Sequence, residues 1–490
     1  MSVIFDNTYI KLPEKFYEKI LPVPVKKPKL INLNKKLSDF LNLNYKKFSG
    51  KYGELVFSGN LIPNGSNPIA MAYAGHQFGQ LVPKLGDGRA ILLGEIIAKD
   101  GKRYDMQLKG SGKTSFSRGG DGRAPLGPII REFLVSESIF HLNIPTTRVL
   151  AITSSGEFVK RETLLPGGLL ARIASSHIRI GTFEYFFYKK DLKSIKQLAD
   201  YSINRHFPEI KKDKNIYLSF LKKIVKLQAK LVSNWMQIGF IHGVMNTDNT
   251  SICGETIDYG PCAFMDFYDP KTVFSFIDTY GRYSFINQAQ IALWNLTRLA
   301  ECLLGLINNN FQKSQKKVVE ILNDFSNQFN DSWLNGMRKK IGLKKSHPKD
   351  ISLIQDFLKI LENEKIDYTS TFRNLSNASR GRKFMSNFLK NFQKKDAITS
   401  WIKDWKKRLE IEKQSYIEIS NQMKKVNPNF LARNHLVEKA INNAINKNDF
   451  SFMNKLLQMI RNPFKDDKNN NKFSMPPKKN EIIKHTFCGT

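Results

Sequence analysis

Two residues that can bind a divalent cation lie close together in the middle of the chain. Asn249 and Asp258 are nine residues apart in the segment HGVMNTDNTSICGETIDYGPCAFMDF. An amide oxygen and a carboxylate are hard ligands of the kind that Mg²⁺ accepts beside phosphate oxygens. Asp248, next to Asn249, adds a carboxylate that can take a proton from an attacking hydroxyl. The segment predicts chemistry on a metal-bound phosphate; the alternative is a hairpin with ordinary Asn and Asp turn residues.

The same segment follows the order of a protein-kinase catalytic loop, with one substitution. Such a loop reads His-Arg-Asp, four further residues and a metal-binding Asn, and an Asp-Phe-Gly comes later. Here His242 begins the run, Asn249 has the position of the metal-binding Asn, and Asp258 begins an Asp-Tyr-Gly. Val244 stands where the catalytic Asp would be. The loop therefore favours metal binding but argues against a conventional kinase.

Upstream of this segment, glycine and charged residues are ordered as in a phosphate-binding site. Gly86, Gly88 and Arg89 lie in KLGDGRA, where glycine lets the backbone approach a phosphate and arginine can bind it with two hydrogen bonds. Lys109 ends the segment RYDMQLK, and Glu132 follows 23 residues later, as in the Lys–Glu pair of kinases. Each feature alone has an ordinary alternative. KLGDGRA could be a Gly-rich turn, and Lys109 and Glu132 could be two exposed charges. Their order along the chain favours nucleotide binding.

Two arginines further along could bind the far end of a triphosphate. Arg172 and Arg179 are seven residues apart in LLARIASSHIRIGT, so they would share a face if this segment were helical. Solvated arginines explain the pattern equally well. A second GDGRA, at 120–124, repeats the one at 86–90 and again combines flexible glycine backbone with arginine.

A small mixed lobe followed by a large helical lobe would position these residues. The segments 90–97 and 103–110 flank an Asp-Gly turn and predict a β-hairpin. A second hairpin is predicted with its turn at Ser-Ser-Gly, 154–156. Between the hairpins, Pro128 lies near the first turn of a helix whose apolar residues recur at helical spacing. Residues 217–239 predict a long amphipathic helix that ends just before the His242 loop.

We therefore predict an α+β protein with a protein-kinase-like, two-lobed fold. The 490 residues allow two to four domains. The predicted division is an N-terminal arm with little regular structure (1–60), an N-lobe (61–180), a C-lobe with the catalytic loop (181–330), and a helical extension with a loose tail after residue 463 (331–490).

The composition limits the classes of partner. A formal net charge of +33 would suit a polyanion, but lysine is spread through the chain with abundant Asn, Ile and Phe, as in an AT-rich genome. Because no known nucleic-acid motif is present, nucleic acid is not an expected partner. No apolar run approaches the roughly 18 residues that span a bilayer, and the first residues do not read as a signal peptide. We expect a cytoplasmic protein without membrane association.

Taken together, these segments resemble the selenoprotein O (YdiU) family of kinase-like protein adenylyltransferases. The resemblance covers most of residues 70–270 and the C-terminus, and it is weak over about 310–460. It implies a kinase-like fold that binds ATP in a flipped orientation, with the α-phosphate facing the acceptor hydroxyl. The implied reaction transfers AMP from ATP, or UMP from UTP, to Ser, Thr or Tyr of protein substrates and releases pyrophosphate. The matching segments are MAYAGHQFGQ, LGDGRA, QLKGSGKTSFSRGGDGRAPLGP, REFLVSE, PTTRVLA, HGVMNTDN, TIDYGP and the terminal TFCGT.

The resemblance also implies a role for each candidate residue. Asn249 and Asp258 would bind Mg²⁺ or Mn²⁺, Asp248 would accept the proton, and Glu132 would orient Lys109. The residues implied to bind the nucleoside triphosphate are Gly86, Gly88, Arg89, Lys109, Asp121, Gly122, Arg172, Arg179 and Asp258.

The four cysteines are too few for a disulfide scaffold, and no two are spaced as in a C-x-x-C zinc motif. The resemblance implies redox control in some family members, through a C-terminal Cys or selenocysteine and a Cys in the loop after the Asp-Tyr-Gly. Cys488 is present here, but the loop DFYDPKTVFSFIDTYG has no Cys. Cys262, four residues after Asp258, is the nearby substitute. We therefore hypothesise a link between Cys262 and Cys488.

Two alternative functions stay open. The first is a catalytically weak, kinase-like scaffold that binds ATP. Such a scaffold would keep the fold and lose the metal ligands, so the presence of both Asn249 and Asp258 argues against it. A basic nucleic-acid-binding protein would explain the charge of +33. Its binding would depend on salt and would not change with excess ATP.

Overall fold

The computed structural model describes residues 3–486 as a strand-rich lobe followed by a larger helical lobe. The main sheet is antiparallel, with strand order β1-β3-β6-β7-β10-β9-β2, and β8 pairs with β10. Two further pairs, β4–β5 and β11–β12, are short. This arrangement confirms the α+β, protein-kinase-like prediction. The strands are β1 (Tyr17–Lys19), β2 (Lys29–Leu33), β3 (Ile69–Met71), β4 (Gly75–Gln77), β5 (Gln80–Val82), β6 (Ala90–Ile97), β7 (Arg103–Lys109), β8 (Ala124–Pro125), β9 (Arg148–Lys160), β10 (Leu164–Ala174), β11 (Phe240–Ile241) and β12 (Ala263–Phe264).

The central hairpin β6–β7 gives the site its Lys. The two strands pair across the Asp-Gly turn, so the first predicted hairpin is confirmed. Side chains alternate between the two faces of a strand. Met106 and Leu108 enter a core shared with the N-terminal helices, whereas Gln107 and Lys109 point to the opposite face. The alternation therefore aims two polar side chains at the helix on that face.

The helix on that face is α4 (Leu126–His141), which confirms the helix predicted around Pro128. Ile130, Phe133 and Leu134 are buried in the core between α4 and the sheet. Their spacing leaves Glu132 beside β7 and within reach of Lys109. The helix therefore has two functions, since it fills the core and presents a carboxylate to the sheet.

The second hairpin is present, but the predicted position of its turn, at 154–156, is wrong. β9 continues through Ser154 and Gly156, and it pairs with β10 after a turn at 161–163. Gly156 has φ +70° and lies where the register of the two strands shifts, between Pro166 and Gly168. A glycine with positive φ serves a β-bulge as well as a turn. Local composition therefore could not distinguish the two.

The first 60 residues contain more regular structure than predicted, so that expectation is wrong. β1 and β2 form the two edges of the main sheet by pairing with β3 and β9. The side chain of Asn34 caps the first of three short helices by accepting from the amide of Leu37. These helices pack on the sheet face opposite α4. They are α1 (Lys35–Phe40), α2 (Tyr45–Phe48) and α3 (Lys51–Phe57).

The second lobe is helical, as predicted. The long helix predicted at 217–239 is confirmed as α7, and Gly239, with φ +71°, follows its end. The helices are α5 (Ile180–Phe187), α6 (Leu192–His206), α7 (Ile216–Gln237), α8 (Gln288–Ile307), α9 (Phe311–Lys340), α10 (Asp350–Glu364), α11 (Tyr368–Ala378), α12 (Arg382–Leu389), α13 (Lys395–Glu410), α14 (Tyr416–Lys424), α15 (Asn434–Lys447) and α16 (Ser451–Ile460). Across residues 3–486, none of these helices is long and apolar enough to cross a membrane.

The C-terminal extension has two parts. The first, α10 to α14, packs around a core that it shares with β11, β12 and the end of α9, and in which Phe357, Trp401 and Trp405 stack. The second, α15 and α16, packs against α4. There, the guanidinium of Arg131 donates a hydrogen bond to Asn434 and forms an ion pair with Glu438. The division at residues 60, 180 and 330 stays a prediction, but the extension clearly contacts the helix that carries Glu132.

The tail after residue 463 is less loose than its composition predicts. It forms two short 3₁₀ segments, Lys468–Phe473 and Lys479–Glu481, and Phe473 is buried. Near its end, the hydroxyl of Thr486 donates to the carbonyl of Pro261 at 2.7 Å. The tail therefore leads to the segment that follows the Asp-Tyr-Gly, whereas Cys488 lies outside the described residues.

Candidate active site

Lys109 and Glu132 form the ion pair that their order in the chain predicted. Nζ of Lys109 lies 2.5 Å from Oε2 of Glu132 and 3.7 Å from Oδ1 of Asp258. Glu132 is buried, and Lys109 is mostly buried. β7, α4 and the Asp-Tyr-Gly segment thus meet at one ammonium group, which joins the two lobes.

Arg172 and Arg179 converge on the same carboxylate. Nη1 of Arg172 lies 2.5 Å from Oδ1 of Asp258, and Nη1 of Arg179 lies 3.0 Å from Oδ2. Arg172 belongs to β10 and Arg179 immediately precedes α5, so they do not share a helix face. Both guanidinium groups are buried. Tertiary structure, not helical spacing, brings them together.

Asp258 is an anion surrounded by three cations. Its backbone has φ +61°, a left-handed conformation that Asp tolerates better than most residues. Burial opposes its ionisation, but the charges of Arg172, Arg179 and Lys109 outweigh burial and hold its pKa well below the usual range. The result is a charged carboxylate, which is the form that a metal ion requires.

The catalytic loop is fixed by hydrogen bonds to neighbouring backbone. Nε2 of His242 lies 2.8 Å from the carbonyl of Ile257, which ties the loop to the residue before Asp258. Burial lowers the pKa of His242, which favours the neutral form of the ring. Nδ2 of Asn249 donates to the carbonyl of Val244 at 3.0 Å. This bond leaves the amide oxygen of Asn249 as the atom able to bind a cation.

Asp248 precedes Asn249 in the chain, and its side chain is buried. Arg179 donates to its backbone carbonyl at 2.8 Å. Its Oδ1 is buried without a hydrogen-bond partner among the described residues. Burial raises the pKa of Asp248 to about 7, against the opposing charge of Arg179. A Cβ atom on Gly75 would lie only 2.3 Å from this Oδ1, so glycine is needed there.

The donor set fits a hard divalent cation. It consists of the ionised carboxylate of Asp258 and the oriented amide oxygen of Asn249. In the described part of the chain, no group of three or more His, Cys, Asp and Glu residues could hold a metal by itself. A cation here would therefore complete its coordination with phosphate oxygens or water.

The first GDGRA segment lies beside β7. The carbonyl of Arg89 accepts from the amide of Gly110 at 2.7 Å, one residue after Lys109, and the Arg89 side chain is partly buried. A Cβ atom on Gly86 would lie 2.2 Å from the ring of Phe116, and one on Gly88 would lie 2.7 Å from the carbonyl of Phe116. These glycines therefore allow close approach of the loop that contains Phe116, and their contact with phosphate stays a prediction.

The second GDGRA segment lies in different surroundings. Within residues 3–486, Asp121 forms its ion pair with Arg161, at 2.9 Å, rather than with a member of the Asp258 cluster. Gly122 has φ +67° and packs against the backbone of Gly112. Asp121 therefore pairs with a different arginine from those at Asp258, and the contact of Asp121 and Gly122 with nucleotide stays a prediction.

Two residues that the sequence interpretation missed orient Arg172. Oδ2 of Asp87 accepts from Nε2 of Gln107 at 3.0 Å, and Oε1 of Gln107 accepts from Nη2 of Arg172 at 2.6 Å. Burial raises the pKa of Asp87 to about 6. A signal for each was present, because Asp87 lies inside GDGRA and Gln107 shares a strand face with Lys109.

A second missed group holds the catalytic loop from the other side. Nδ1 of His76 lies 2.6 Å from Oε1 of Glu184, and the hydroxyl of Thr247 donates to the other carboxylate oxygen. The amide of His76 donates to the same hydroxyl at 2.7 Å. All three residues are buried. His76 belongs to MAYAGHQFGQ, a segment that contributes to the family resemblance, and this membership is the signal that marks it.

A lysine on a central strand, its glutamate on the crossing helix and a carboxylate after the catalytic loop define a kinase-like protein. A family model described as "Protein adenylyltransferase SelO" matches residues 1–461. The chain belongs to the SelO family. It is similar to proteins named "Protein nucleotidyltransferase YdiU": it is 48% identical to that of Rhizobium meliloti (strain 1021), over 99% of each chain. It is 49% identical to that of Maridesulfovibrio salexigens, over 99% of this chain and 98% of the relative.

Proposed function

We propose that this protein transfers AMP from ATP to Ser, Thr or Tyr hydroxyls of other proteins and releases pyrophosphate. Membership of the SelO family supports this function, as does the nucleotidyltransferase activity for which its relatives are named. The observation that carries it is the Asp258 carboxylate, which is held by three cations beside a loop in which Val244 replaces the kinase base. UTP, with transfer of UMP, is proposed as a second donor.

The basic residues would neutralise the triphosphate. Nucleotidyl transfer depends mainly on positioning and on stabilising charge that develops on phosphate oxygens. Three positive charges surround a single carboxylate, namely those of Lys109, Arg172 and Arg179. Because one carboxylate does not neutralise all three, this cluster can also bind an anionic ligand. We propose that the full nucleotide site consists of these three residues with Gly86, Gly88, Arg89, Asp121, Gly122 and Asp258.

Asn249 and Asp258 would hold Mg²⁺ or Mn²⁺. When bound, this cation neutralises charge on the phosphate oxygens. Asp248 would accept the proton of the acceptor hydroxyl, since it is the carboxylate next to Asn249 and one of its oxygens is unused. Glu132 would keep Lys109 in place through its 2.5 Å ion pair.

The other functions are less well supported. A conventional kinase would need a base where Val244 stands. A scaffold would not need an oriented Asn249 and an ionised Asp258. A nucleic-acid-binding role has only the net charge of +33 in its favour. We propose a cytoplasmic enzyme whose partners are nucleoside triphosphates and acceptor proteins.

The test uses ATP labelled at the α- or at the γ-phosphate. The protein is incubated with Mg²⁺, each labelled nucleotide and a mixture of proteins, and label on protein is measured. We expect label from α-labelled ATP only, and none with the Asp258→Ala variant. Label from γ-labelled ATP only would show a kinase and overturn the proposal. Repeating the assay with α-labelled UTP and with Mn²⁺ compares the donors and the metals.

A further inference from the structure

We propose that a groove beside the catalytic loop binds the acceptor protein, through one large apolar side chain and one acidic side chain near the acceptor hydroxyl. The groove has a volume of about 380 Å³, and Phe78, Ile277, Tyr280, Arg282 and Ile291 are among the residues that line it. The inference rests on the proposed transfer to proteins. It adds the chemistry by which an acceptor is chosen.

The groove and the catalytic loop share a wall. The amide of Phe78 lies 3.1 Å from both Oδ1 of Asn246 and the hydroxyl of Tyr283. Tyr283 in turn donates to Oδ1 of Asn246 at 2.5 Å. Asn246 directly precedes the 3₁₀ turn Thr247–Asn249, which contains Asp248. Because an extended chain covers about 3.3 Å per residue, a segment in the groove can place a hydroxyl at this turn within a few residues.

The outer side of the groove exposes large apolar side chains. Tyr280 is 99% exposed and Ile277 is 63% exposed. The loop between them is held in shape, because the carboxylate of Asp278 accepts from the amides of Arg282 and Tyr283 at 2.9 and 2.8 Å. Exposed apolar patches with a polar rim mark interaction sites, and Tyr is enriched in them. The loop therefore presents a formed surface for an apolar side chain.

Arg282 gives the groove its charge preference. Its guanidinium lies 5.0 Å from the ring of Trp294 and beside Gly79, where a Cβ atom would lie 3.5 Å away. Within residues 3–486, no carboxylate lies within ion-pair distance of this guanidinium, since the carboxylate of Asp278 binds backbone amides instead. An arginine without an acidic partner beside an apolar groove complements a carboxylate on the incoming segment.

Peptide mixtures test this proposal with the full chain. Each peptide has a single central Ser, Thr or Tyr, and one flanking position at a time is Leu, Phe, Glu, Lys or Ala. With ATP labelled at the α-phosphate, we expect at least about tenfold more label on peptides with Leu or Phe at one offset and Glu at another. Ile277→Asp should abolish the apolar preference. Arg282→Glu should replace the preference for Glu by one for Lys, and Arg282→Lys should retain it.

Controls separate docking from catalysis and folding. Ile351→Asp, which changes an exposed apolar residue on α10, should keep both preferences, and all variants should bind ATP equally. Equal label on every peptide, or unchanged preferences in the Ile277 and Arg282 variants, overturns the docking proposal and leaves the transfer activity standing. ATP binding without label on any protein or peptide overturns the proposed function, and docking with it.

Two other occupants of the groove would give different results. If Ile277→Asp turns a dimer into a monomer and leaves the peptide preferences unchanged, the groove binds a second copy of this chain, and the proposal fails. If a chain ending at Thr486 gains label equally on all peptides, the groove is occupied by the chain's own end, which also overturns the proposal.

Discussion

Nη1 of Arg172 lies 2.5 Å from Oδ1 of Asp258, so an arginine assigned to phosphate binds the carboxylate assigned to the metal. Arg179 binds the other oxygen of this carboxylate at 3.0 Å. A nucleotide and its metal would therefore enter an existing network and exchange partners within it. The order of the chain had predicted the members of this network, but not that they contact each other.

Replacing Asp258 by Asn tests this network. The variant keeps the shape of the side chain and removes the charge that balances Arg172 and Arg179. We expect transfer of label from ATP to fall more than about 100-fold, and the free energy of unfolding in urea to fall by about 3 kcal/mol, because two buried cations lose their anion. Asp200→Asn, which removes a surface pair with Lys196, should cost less than about 1 kcal/mol. If the two variants lose the same free energy of unfolding, the Asp258 network does not stabilise the fold.

The Lys109–Glu132 pair should act as one unit. Glu132 also lies 3.4 Å from Arg172, so Glu132→Gln weakens the hold on two cations. We expect Lys109→Met and Glu132→Gln each to reduce transfer at least about 100-fold, and the double variant to be little worse than either. Initial rates with α-labelled ATP measure this. If the two losses multiply, the residues act independently, and Glu132 is not the residue that orients Lys109.

Gly75 lies too close to Asp248 and Leu85 for a larger residue to fit without displacing one of them. A Cβ atom there would lie 2.3 Å from Oδ1 of Asp248, so Gly75→Ala must displace this carboxylate. We expect at least about a tenfold loss of transfer, with a loss of stability of about 1 to 3 kcal/mol. Gly50→Ala is the matched control, because its Cβ would meet only the carbonyl of Lys47 at 3.8 Å. Full activity of Gly75→Ala would remove Asp248 from the reaction.

Features that depend on neighbouring residues could be predicted from the sequence. The turn between β6 and β7 follows from its Asp-Gly, and α4 follows from its helical spacing around Pro128. The Lys109–Glu132 pair follows from the order of kinase-like motifs. In each case the physical cause lies within a short segment or in a motif whose order is diagnostic.

Features that depend on distant partners could not be predicted. β2 forms only because β9, more than 100 residues away, provides its hydrogen bonds. Arg172 and Arg179 meet at Asp258 through the sheet and the start of α5, and local periodicity contains no trace of this. His76 gives no sign of Glu184, which lies 108 residues further along the chain. Strand pairing and buried polar networks are properties of the tertiary fold.

The proposed link between Cys262 and Cys488 stays a prediction. Cys262 is buried, and the neighbouring carbonyl of Pro261 accepts from Thr486, two residues before Cys488, at 2.7 Å. The chain has four cysteines, so we expect two reactive thiols on the unfolded oxidised protein and four after reduction. Cys488→Ser should give three thiols under both conditions, whereas Cys253→Ser should still gain two on reduction. Equal counts for the unaltered protein with and without reductant would contradict the link.

Lys340 should make the stability depend on pH. It is buried at the end of α9, with Nζ 4.3 Å from the ring centre of Phe372, and no carboxylate in residues 3–486 pairs with it. Burial lowers the pKa of Lys340 from 10.5 to about 7. Between these two values the unfolded chain binds more protons than the folded one, so stability rises with pH in this window and the full penalty applies below it.

Lys340→Met should remove this penalty. We expect the variant to be more stable than the unaltered protein by about 2 kcal/mol at pH 6, with the difference shrinking as pH rises towards 10. Urea denaturation at several pH values measures the difference, and comparing the two proteins cancels the contributions of all other titrating groups. Lys339→Met, at the exposed neighbouring position, should show no such dependence. A Lys340→Met variant that is less stable at every pH would mean that the contact with Phe372 outweighs the cost of burying the charge.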